Sequence, residues 1–361
     1  MSANLFARPS LHELFNDESW LYPEFLPERL PHRDTQIQSL VDGLQPASRG
    51  QKADTVFCFG PTGTGKTASV RFVVRELAEY AKNVKTLYLN GFQHGTRHAA
   101  LAAMAAFFSV PVPRRGIGTD EILHSIQSRL LKLSFQAVLI LDEADQWANA
   151  AEHQRLFYDL ARAQELSGMK IAVVMISNDA DLLSRLEDRV RSSLGQTRIE
   201  FGPYAPGELK DILRERSAHA FRPNALDADA INVAAGIGAK NGGDCRIAIQ
   251  SLLKAGRLAE KENAAKVTGA HVARAAGSLS PRPLEKAEHF LNDNEKWVLG
   301  LLTEKEITAG ELHACFCAKA PAPLSDRAFR DVLTGLAKKN VVNVRLVAKG
   351  RRGRTRLVRK I

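Results

Sequence analysis

The chain has 361 residues, of which 45% are hydrophobic, and its formal net charge is +10 at pH 7. This length suits two or three domains, each with a core of its own. No apolar run approaches the roughly 20 residues of a membrane span. The N-terminus also lacks the charged-then-apolar layout of a signal peptide. The four cysteines have no metal-site spacing and predict reduced thiols in a cytoplasmic protein.

Residues 1–30 are rich in Phe, Leu, Trp and Pro but show no regular period. We therefore predict an extended segment draped over a domain. Pro31, His32 and Arg33 then open a predicted helix that runs to residue 44 with apolar residues on one face. Taken alone, this pattern indicates an amphipathic packing helix.

Residues 60–67 match the phosphate-binding loop pattern at every defined position. They read Gly60, Pro61, Thr62, Gly63, Thr64, Gly65, Lys66 and Thr67. A strand-like run precedes the loop and a helix-like run follows it, so backbone N–H groups and a positive helix end converge where a polyphosphate binds. Lys66 would reach the β- and γ-phosphates, and the Thr67 hydroxyl would hold Mg²⁺. The sequence therefore predicts a nucleotide-binding protein.

Two predicted buried strands end in polar residues. Residues 137–141 lead into Asp142 and Glu143, and residues 170–176 lead towards Asn178. In open α/β sheets, ligands bind beyond the carboxyl ends of the strands. Asp142 would hold Mg²⁺ through water, and Glu143 would polarise the attacking water. Asn178 could bond the γ-phosphate or orient the water, with an ordinary Asx turn as the alternative.

From Pro206 the pattern changes to four predicted helices, which form a small lid. Their approximate bounds are 207–220, 227–239, 245–261 and 268–276. Asp244 is a plausible N-cap of the third helix. That places Arg246 near the helix start, where it could face the phosphates.

The last part of the chain is basic. Residues 285–361 contain 16 Lys and Arg against 9 Asp and Glu, which favours nucleic acid as a partner. Three predicted helices (284–302, 308–319 and 326–339) and a hairpin (341–348 and 355–359) indicate a winged helix-turn-helix. Arg327 and Arg330 would enter the major groove, while Arg351, Arg352 and Arg354 on the hairpin turn would meet backbone or minor groove.

In this order, these features resemble the AAA+ replication initiators. More narrowly, the chain is similar to the archaeal origin-recognition type, which is related to the eukaryotic origin-recognition and helicase-loading proteins. The similarity covers nearly the whole chain. Its most specific segments, besides the phosphate-binding loop, are residues 26–33, 141–145, 189–195 and 201–204.

The resemblance implies roles for single residues. Asn178 corresponds to sensor 1 and Arg246 to sensor 2. The residues implied on the adenine side of the pocket are His32, Arg33, Tyr204 and Arg216.

Two further pairs of arginines gain a role from the family. Arg114 and Arg115 would fall in the initiator-specific insertion that contacts duplex DNA, whereas alone they indicate a solvated turn. Arg189 and Arg191 are both candidates for the arginine finger that acts in trans on a neighbouring subunit.

We therefore expect an α/β fold with an AAA+ base at residues 1–203, a helical lid at 204–280 and a winged-helix domain at 285–361. The expected function is an ATP-dependent, nucleoid-associated initiator that binds origin DNA and helps recruit or load the replicative helicase. ATP or ADP and Mg²⁺ are the expected ligands, and self-association or pairing with paralogous initiators on DNA is expected. The alternatives are another DNA-associated AAA+ ATPase, such as a clamp loader or transposition regulator, and a regulator that holds nucleotide without hydrolysing it.

Overall fold

The computed structural model describes eleven segments of the chain. They are residues 13–113, 116–132, 135–148, 150–161, 171–194, 196–277, 292–302, 306–320, 323–338, 342–348 and 354–360. The chain divides into two compact units, Met1–Ala275 and Ala276–Ile361. Among the described residues, the helices are all too short or too polar to cross a membrane.

The first unit combines a parallel sheet with helices. Its strands are β1 (Thr55–Phe59), β2 (Val84–Asn90), β3 (Gln136–Asp142), β4 (Ile171–Ser177) and β5 (Gln196–Glu200). The helices between them are α1 (Asp34–Ser48), α2 (Lys66–Tyr80), α3 (Arg97–Phe107), α4 (Thr119–Leu130), α5 (Asp145–Ala148), α6 (Ala151–Ala161) and α7 (Asp188–Ser193). The lid helices are α8 (Pro206–Ala220), α9 (Ala228–Lys240), α10 (Cys245–Lys261) and α11 (Gly269–Gly277).

The five strands are all parallel and lie in the order β2-β3-β4-β1-β5. Every residue of β3 and β4 is buried. Alternate side chains of these strands enter two separate cores. Val138 and Ile140 pack with α1 and α2, while Leu139 and Leu141 pack with α3, α4 and α6. Covering both faces explains the continuous apolar runs in the sequence.

The lid helices enclose a core of their own, and the N-terminal strap, residues 13–31, packs on it. Leu14 and Leu21 are buried in that core. The Phe15 ring stacks on Phe221 with 4.7 Å between centroids. Except for a 3-10 turn at Glu18–Leu21, the strap has no helix. The predicted draped segment is confirmed for these residues, and the domain that it covers is the lid.

The second unit contains three helices and a small antiparallel sheet. Its elements are α12 (Asp293–Leu301), β6 (Ile307–Thr308), α13 (Ala309–Lys319), α14 (Asp326–Lys338), β7 (Val342–Ala348) and β8 (Arg354–Lys360). The sheet order is β6-β8-β7. Phe316, Phe329 and Leu333 are buried at the centre of this unit. The predicted hairpin is present as β7 and β8, while its turn and residues 284–291 of the predicted first helix lie outside the described residues.

Several short elements were not predicted from the sequence. They are the two 3-10 turns (Glu18–Leu21 and Leu182–Arg185), α5, α7 and β6. Each has six residues or fewer, so none repeats an apolar position often enough to give a period. The longer elements whose bounds the sequence analysis gave, among them β3, β4 and the four lid helices, were predicted to within a few residues wherever the structure describes them.

The strap is attached to the lid by a two-pronged ion pair that depends on pH. Arg257 Nε and Nη2 each donate to a Glu18 carboxylate oxygen at 3.0 Å. This interaction holds the pKa of Glu18 below its ordinary value of 4.5. Because the folded state therefore releases the proton more readily, the stabilisation is present above pH 4.5 and is lost as the pH falls through the lowered pKa.

We expect Glu18→Gln to lower the free energy of unfolding at pH 7 by about 0.2–1 kcal/mol, the range for exposed ion pairs. The loss should shrink at pH 3, which thermal melts at both pH values would detect. Glu79→Gln, which changes an exposed glutamate of α2, is the matched control. An equal loss at both pH values would mean that the ion pair is not the cause.

Candidate active site

A cavity in the first unit lies at the carboxyl ends of the strands. It is lined by strap residues between 22 and 31, by the loop 62–67, by the strand ends 142–143 and 176–178, and by the lid. Gly60 and Pro61 do not line it, but their carbonyls accept hydrogen bonds from Lys66 Nζ at 2.8 and 2.7 Å. The Lys66 ammonium is thus held at the start of α2, where the helix dipole favours an anion.

Glu143 and Lys66 are joined through Asn178. Its Oδ1 accepts from Lys66 Nζ at 2.9 Å, and its Nδ2 donates to Glu143 Oε2 at 3.0 Å. The Glu143 backbone has a φ of +54°. A left-handed conformation in a non-glycine residue costs about 1–3 kcal/mol and is concentrated at functional sites. The structure therefore brings together three of the residues that were predicted as catalytic.

Burial acts oppositely on the two charged groups of this network. Burial lowers the pKa of the Lys66 ammonium, while the charges of Glu143 and Asp142 act against that effect. Burial, and then the charge of Asp142, raise the pKa of the Glu143 carboxyl. Burial removes water from each charged group, and the opposite charges nearby replace only part of the stabilisation that the water gave. A raised pKa suits Glu143 for accepting a proton from an attacking water.

Asp142 accepts three hydrogen bonds. Thr67 Oγ1 donates to Asp142 Oδ2 at 3.0 Å, and the Tyr88 hydroxyl donates to the same oxygen. The Glu143 backbone N–H donates to Oδ1 at 2.9 Å. A hydroxyl and a carboxylate side by side at the cavity are the oxygen ligands that Mg²⁺ prefers. Thr67 and Asp142 therefore fit the metal that was predicted for them.

The lid meets the phosphate-binding loop directly. Asp244 caps α10 by accepting from the backbone N–H groups of Arg246 and Ile247, which confirms the predicted N-cap. Gly63 has a φ of +73°, and a Cβ there would lie 1.8 Å from Asp244 Oδ1. Only glycine allows the lid to approach so closely. Arg246 lines the cavity from the start of α10 and its positive charge acts on both Lys66 and Glu143.

Arg33 is not among the residues that line the cavity, although it contacts Tyr204, which does. It is 4% exposed, and its guanidinium donates to the carbonyls of Thr64 and Gly202, each at 2.9 Å. It also lies 3.7 Å from the centroid of the Tyr204 ring. Because the Arg33 guanidinium is satisfied by these contacts within the protein, we assign it a role in supporting the loop and the start of the lid.

His32 is also absent from the cavity lining. Its Nε2 lies 3.2 Å from an Asp211 carboxylate oxygen, on the lid helix α8. The predicted place of His32 beside the adenine, like that of Arg33, stays a prediction. The sequence placed both residues near the pocket, but the direction of a side chain at a helix start is decided by its neighbours in space.

Tyr204 and Arg216 do line the cavity. Arg216 is 9% exposed, and it donates to the carbonyls of Trp20 at 2.9 Å and Phe25 at 3.3 Å. It therefore holds the strap where the strap forms a wall of the cavity. The sequence did not single out strap residues 22–25, Tyr88 or Arg71. Arg71 of α2 also lines the cavity.

Four of the remaining predicted residues are described on other elements. Arg189 and Arg191 are on α7 and make ion pairs with Glu187 at 2.8 Å and Asp188 at 2.5 Å. Arg327 and Arg330 are exposed on α14. Four arginines, Arg114, Arg115, Arg351 and Arg352, lie outside the described residues, as does the side chain of Arg354.

Two family models match the first unit. Residues 49–186 match an AAA domain, and residues 210–277 match the Cdc6 AAA+ ATPase-type lid domain. Together with the parallel sheet, the phosphate-binding loop and the Glu143 network, they define a nucleotide-binding ATPase of the AAA+ class.

Curated relatives extend over nearly the whole chain. The ORC1-type DNA replication protein 1 of Sulfurisphaera tokodaii is 33% identical over 97% of this chain and 90% of the relative. The ORC1-type DNA replication protein of Pyrococcus furiosus is 32% identical over 96% of this chain and 87% of the relative. The chain belongs to the ORC1-type DNA replication protein family, and the resemblance inferred from the sequence is confirmed.

A solved structure gives the same result. The Orc1 protein of Aeropyrum pernix, determined in complex with DNA, is 31% identical with a TM-score of 0.77. The match covers 96% of this chain and 94% of that one. The predicted fold class, an AAA+ P-loop ATPase with a parallel sheet and helical lid, is therefore correct.

Two substitutions separate binding from chemistry. Lys66→Ala should weaken ATP binding strongly, because the ammonium supplies charge to phosphates in the ground state. Glu143→Gln should keep binding and abolish most turnover, because Gln still accepts a hydrogen bond but cannot take a proton. Fluorescent-nucleotide binding and phosphate release measure the two effects.

Glu152→Gln, an exposed change at the start of α6, is the control for both assays. Wild-type turnover in Glu143→Gln would remove Glu143 from the mechanism. Unchanged ATP affinity in Lys66→Ala would do the same for the proposed phosphate contact.

Proposed function

We propose that this protein is an ATP-dependent initiator that binds duplex DNA at a replication origin and helps recruit or load the replicative helicase. The supporting observation is its likeness to the Aeropyrum pernix Orc1 protein in complex with DNA, which covers the C-terminal unit as well as the ATPase unit. A clamp loader or a general nucleotide-binding regulator has no corresponding support here.

The nucleotide is ATP or ADP with Mg²⁺. Lys66, Arg246 and the N–H groups at the start of α2 bind the phosphates, while Thr67 and Asp142 hold the metal. The metal screens phosphate charge when bound. Asn178 orients Glu143, which accepts the proton of the attacking water. Tyr204, Arg216 and the strap enclose the adenine.

We propose that the second unit is a winged-helix domain whose α14 enters the major groove. Arg327 and Arg330 are both exposed near the start of this helix. Arg330 makes an ion pair with Asp326 at 2.6 Å. Because a DNA contact by Arg330 would break that ion pair, Arg327 is the more available of the two for binding DNA. Arg351, Arg352 and Arg354 supply the wing contacts, and Arg114 and Arg115 of the insertion supply a further one.

The domain boundaries that follow are an AAA+ base at 1–203, a lid at 204–280 and a winged helix at 285–361. Arg189 or Arg191 would act in trans on the nucleotide of a neighbouring copy or paralogue. Both are exposed on α7, as such a role requires, and each could exchange its local carboxylate for a phosphate.

The DNA proposal is tested by salt dependence. Each lost phosphate contact lowers the log–log salt slope by about 0.9. Replacing Arg351, Arg352 and Arg354 by Ala should therefore flatten the slope by about two to three units and weaken binding to every duplex. Arg327→Ala should in addition reduce the preference for origin over random duplex.

Lys319→Ala, an exposed change at the end of α13, is the charge control in the same unit. Wild-type affinity and salt slope in the triple variant would exclude the wing as a DNA contact. ATP hydrolysis with and without origin duplex separates an initiator that couples DNA to turnover from a regulator that only holds nucleotide.

The trans-acting arginine predicts that turnover per molecule rises with protein concentration or with a paralogue on DNA. Arg189→Ala and Arg191→Ala should each be assayed over a wide concentration range, and the finger variant should lose that rise. First-order turnover of the wild type at every concentration would exclude an arginine acting in trans.

A further inference from the structure

Tyr88 lies on β2, at the edge of the sheet, one strand away from the metal-binding carboxylate. In the parallel register Tyr88 pairs with Ile140, and Asn90 pairs with Asp142. Side chains alternate along a strand, so Tyr88, Ile140 and Asp142 share one face of the sheet. Ile140 packs with α1 and α2, which identifies that face as the one that carries the phosphate-binding helix.

The Tyr88 hydroxyl reaches forward along the strand to Asp142. It donates to Oδ2, which is also the oxygen that accepts from Thr67 Oγ1. The residue as a whole is 42% exposed, yet its hydroxyl is directed to a carboxylate that is 5% exposed. Arg71, one helical turn beyond Thr67, lines the same cavity and its charge acts on the Tyr88 phenol.

We propose that Tyr88 is a positioning residue for Mg²⁺: its hydroxyl fixes the Asp142 carboxylate in the rotamer that accepts from metal-bound water. This inference rests on the proposed Mg²⁺ site at Thr67 and Asp142. It assigns a metal-tuning role to a tyrosine that belongs to none of the nucleotide-binding motifs.

Tyr88 differs in position from the other two donors to the Asp142 carboxylate, Thr67 Oγ1 and the Glu143 N–H. Thr67 belongs to the proposed metal site itself, because its hydroxyl, which donates to Asp142, would also present an oxygen lone pair to the metal. The Glu143 N–H belongs to the next residue of the same chain segment, and it moves with Asp142. Tyr88 comes from a different strand, and it therefore fixes the torsion of the carboxylate against the sheet.

Outer partners of metal ligands commonly change metal affinity by about 10–100-fold when they are removed. Tyr88→Phe deletes only the hydroxyl. The Mg²⁺ concentration at half-saturation, measured by titrating Mg²⁺ into protein with a fluorescent ADP analogue, should rise by about 10–100-fold. The affinity for the same analogue in EDTA should stay unchanged.

Two variants accompany this titration. Tyr80→Phe, an exposed tyrosine at the end of α2, should behave as the wild type. Asp142→Asn should shift the Mg²⁺ dependence at least as far as Tyr88→Phe. Melting temperatures of all variants are measured without nucleotide, and Tyr88→Phe should stay folded, with a melting temperature lowered by no more than the loss of one hydrogen bond to a carboxylate.

Each other outcome overturns the inference in a distinct way. If Asp142→Asn shifts the titration and Tyr88→Phe does not, Tyr88 has no role at the metal. If Tyr88→Phe weakens binding equally in Mg²⁺ and in EDTA, its role is structural. If Mg²⁺ has no effect on the wild type, or if Asp142→Asn titrates as the wild type does, the proposed metal site itself fails, and the role of Tyr88 with it.

Discussion

The buried guanidinium of Arg33 joins the segments on which the site depends. It donates to the carbonyl of Thr64 in the phosphate-binding loop and to that of Gly202 where the sheet passes into the lid, and it lies on the Tyr204 ring. A charge that is 4% exposed is tolerated only when its donors are satisfied and an aromatic face replaces water. Removing Arg33 would leave two carbonyls without that donor and would remove one of the contacts that join the loop to the start of the lid.

Within that frame, the polar groups of the site are already matched with one another. Lys66, Asn178 and Glu143 form one chain of hydrogen bonds, and Thr67, Tyr88 and the Glu143 N–H saturate Asp142. Such preorganisation places donors and acceptors where charge develops, so little reorganisation is needed during reaction. A phosphate bound at the loop would compete with Asn178 for Lys66, and we expect this exchange to couple the nucleotide to Glu143.

The strap connects the lid helices to the wall of the same cavity. Arg216 and Arg257 attach it to lid helices, and its residues between 22 and 31 form a cavity wall. A movement of the lid would therefore carry Arg246 and this cavity wall together.

The sequence by itself determined the chemistry and most of the architecture. A short continuous apolar run such as residues 137–141 is typical of a strand covered on both faces, and the loop 60–67 has a spacing that backbone geometry makes specific. These signals are local, because they depend on neighbours along the chain. Lys66, Asp142, Glu143 and Asn178 followed from them.

Only the tertiary structure decided the partners that come from distant segments. Arg33 and His32 were predicted beside the adenine, and in the structure they contact backbone carbonyls and lid carboxylates. Tyr88 gave no sequence signal, because a tyrosine at an alternating strand position looks the same whether or not its hydroxyl donates to a carboxylate. The direction of a long side chain is set by what lies across the sheet or the lid. That information is absent from any one stretch of sequence.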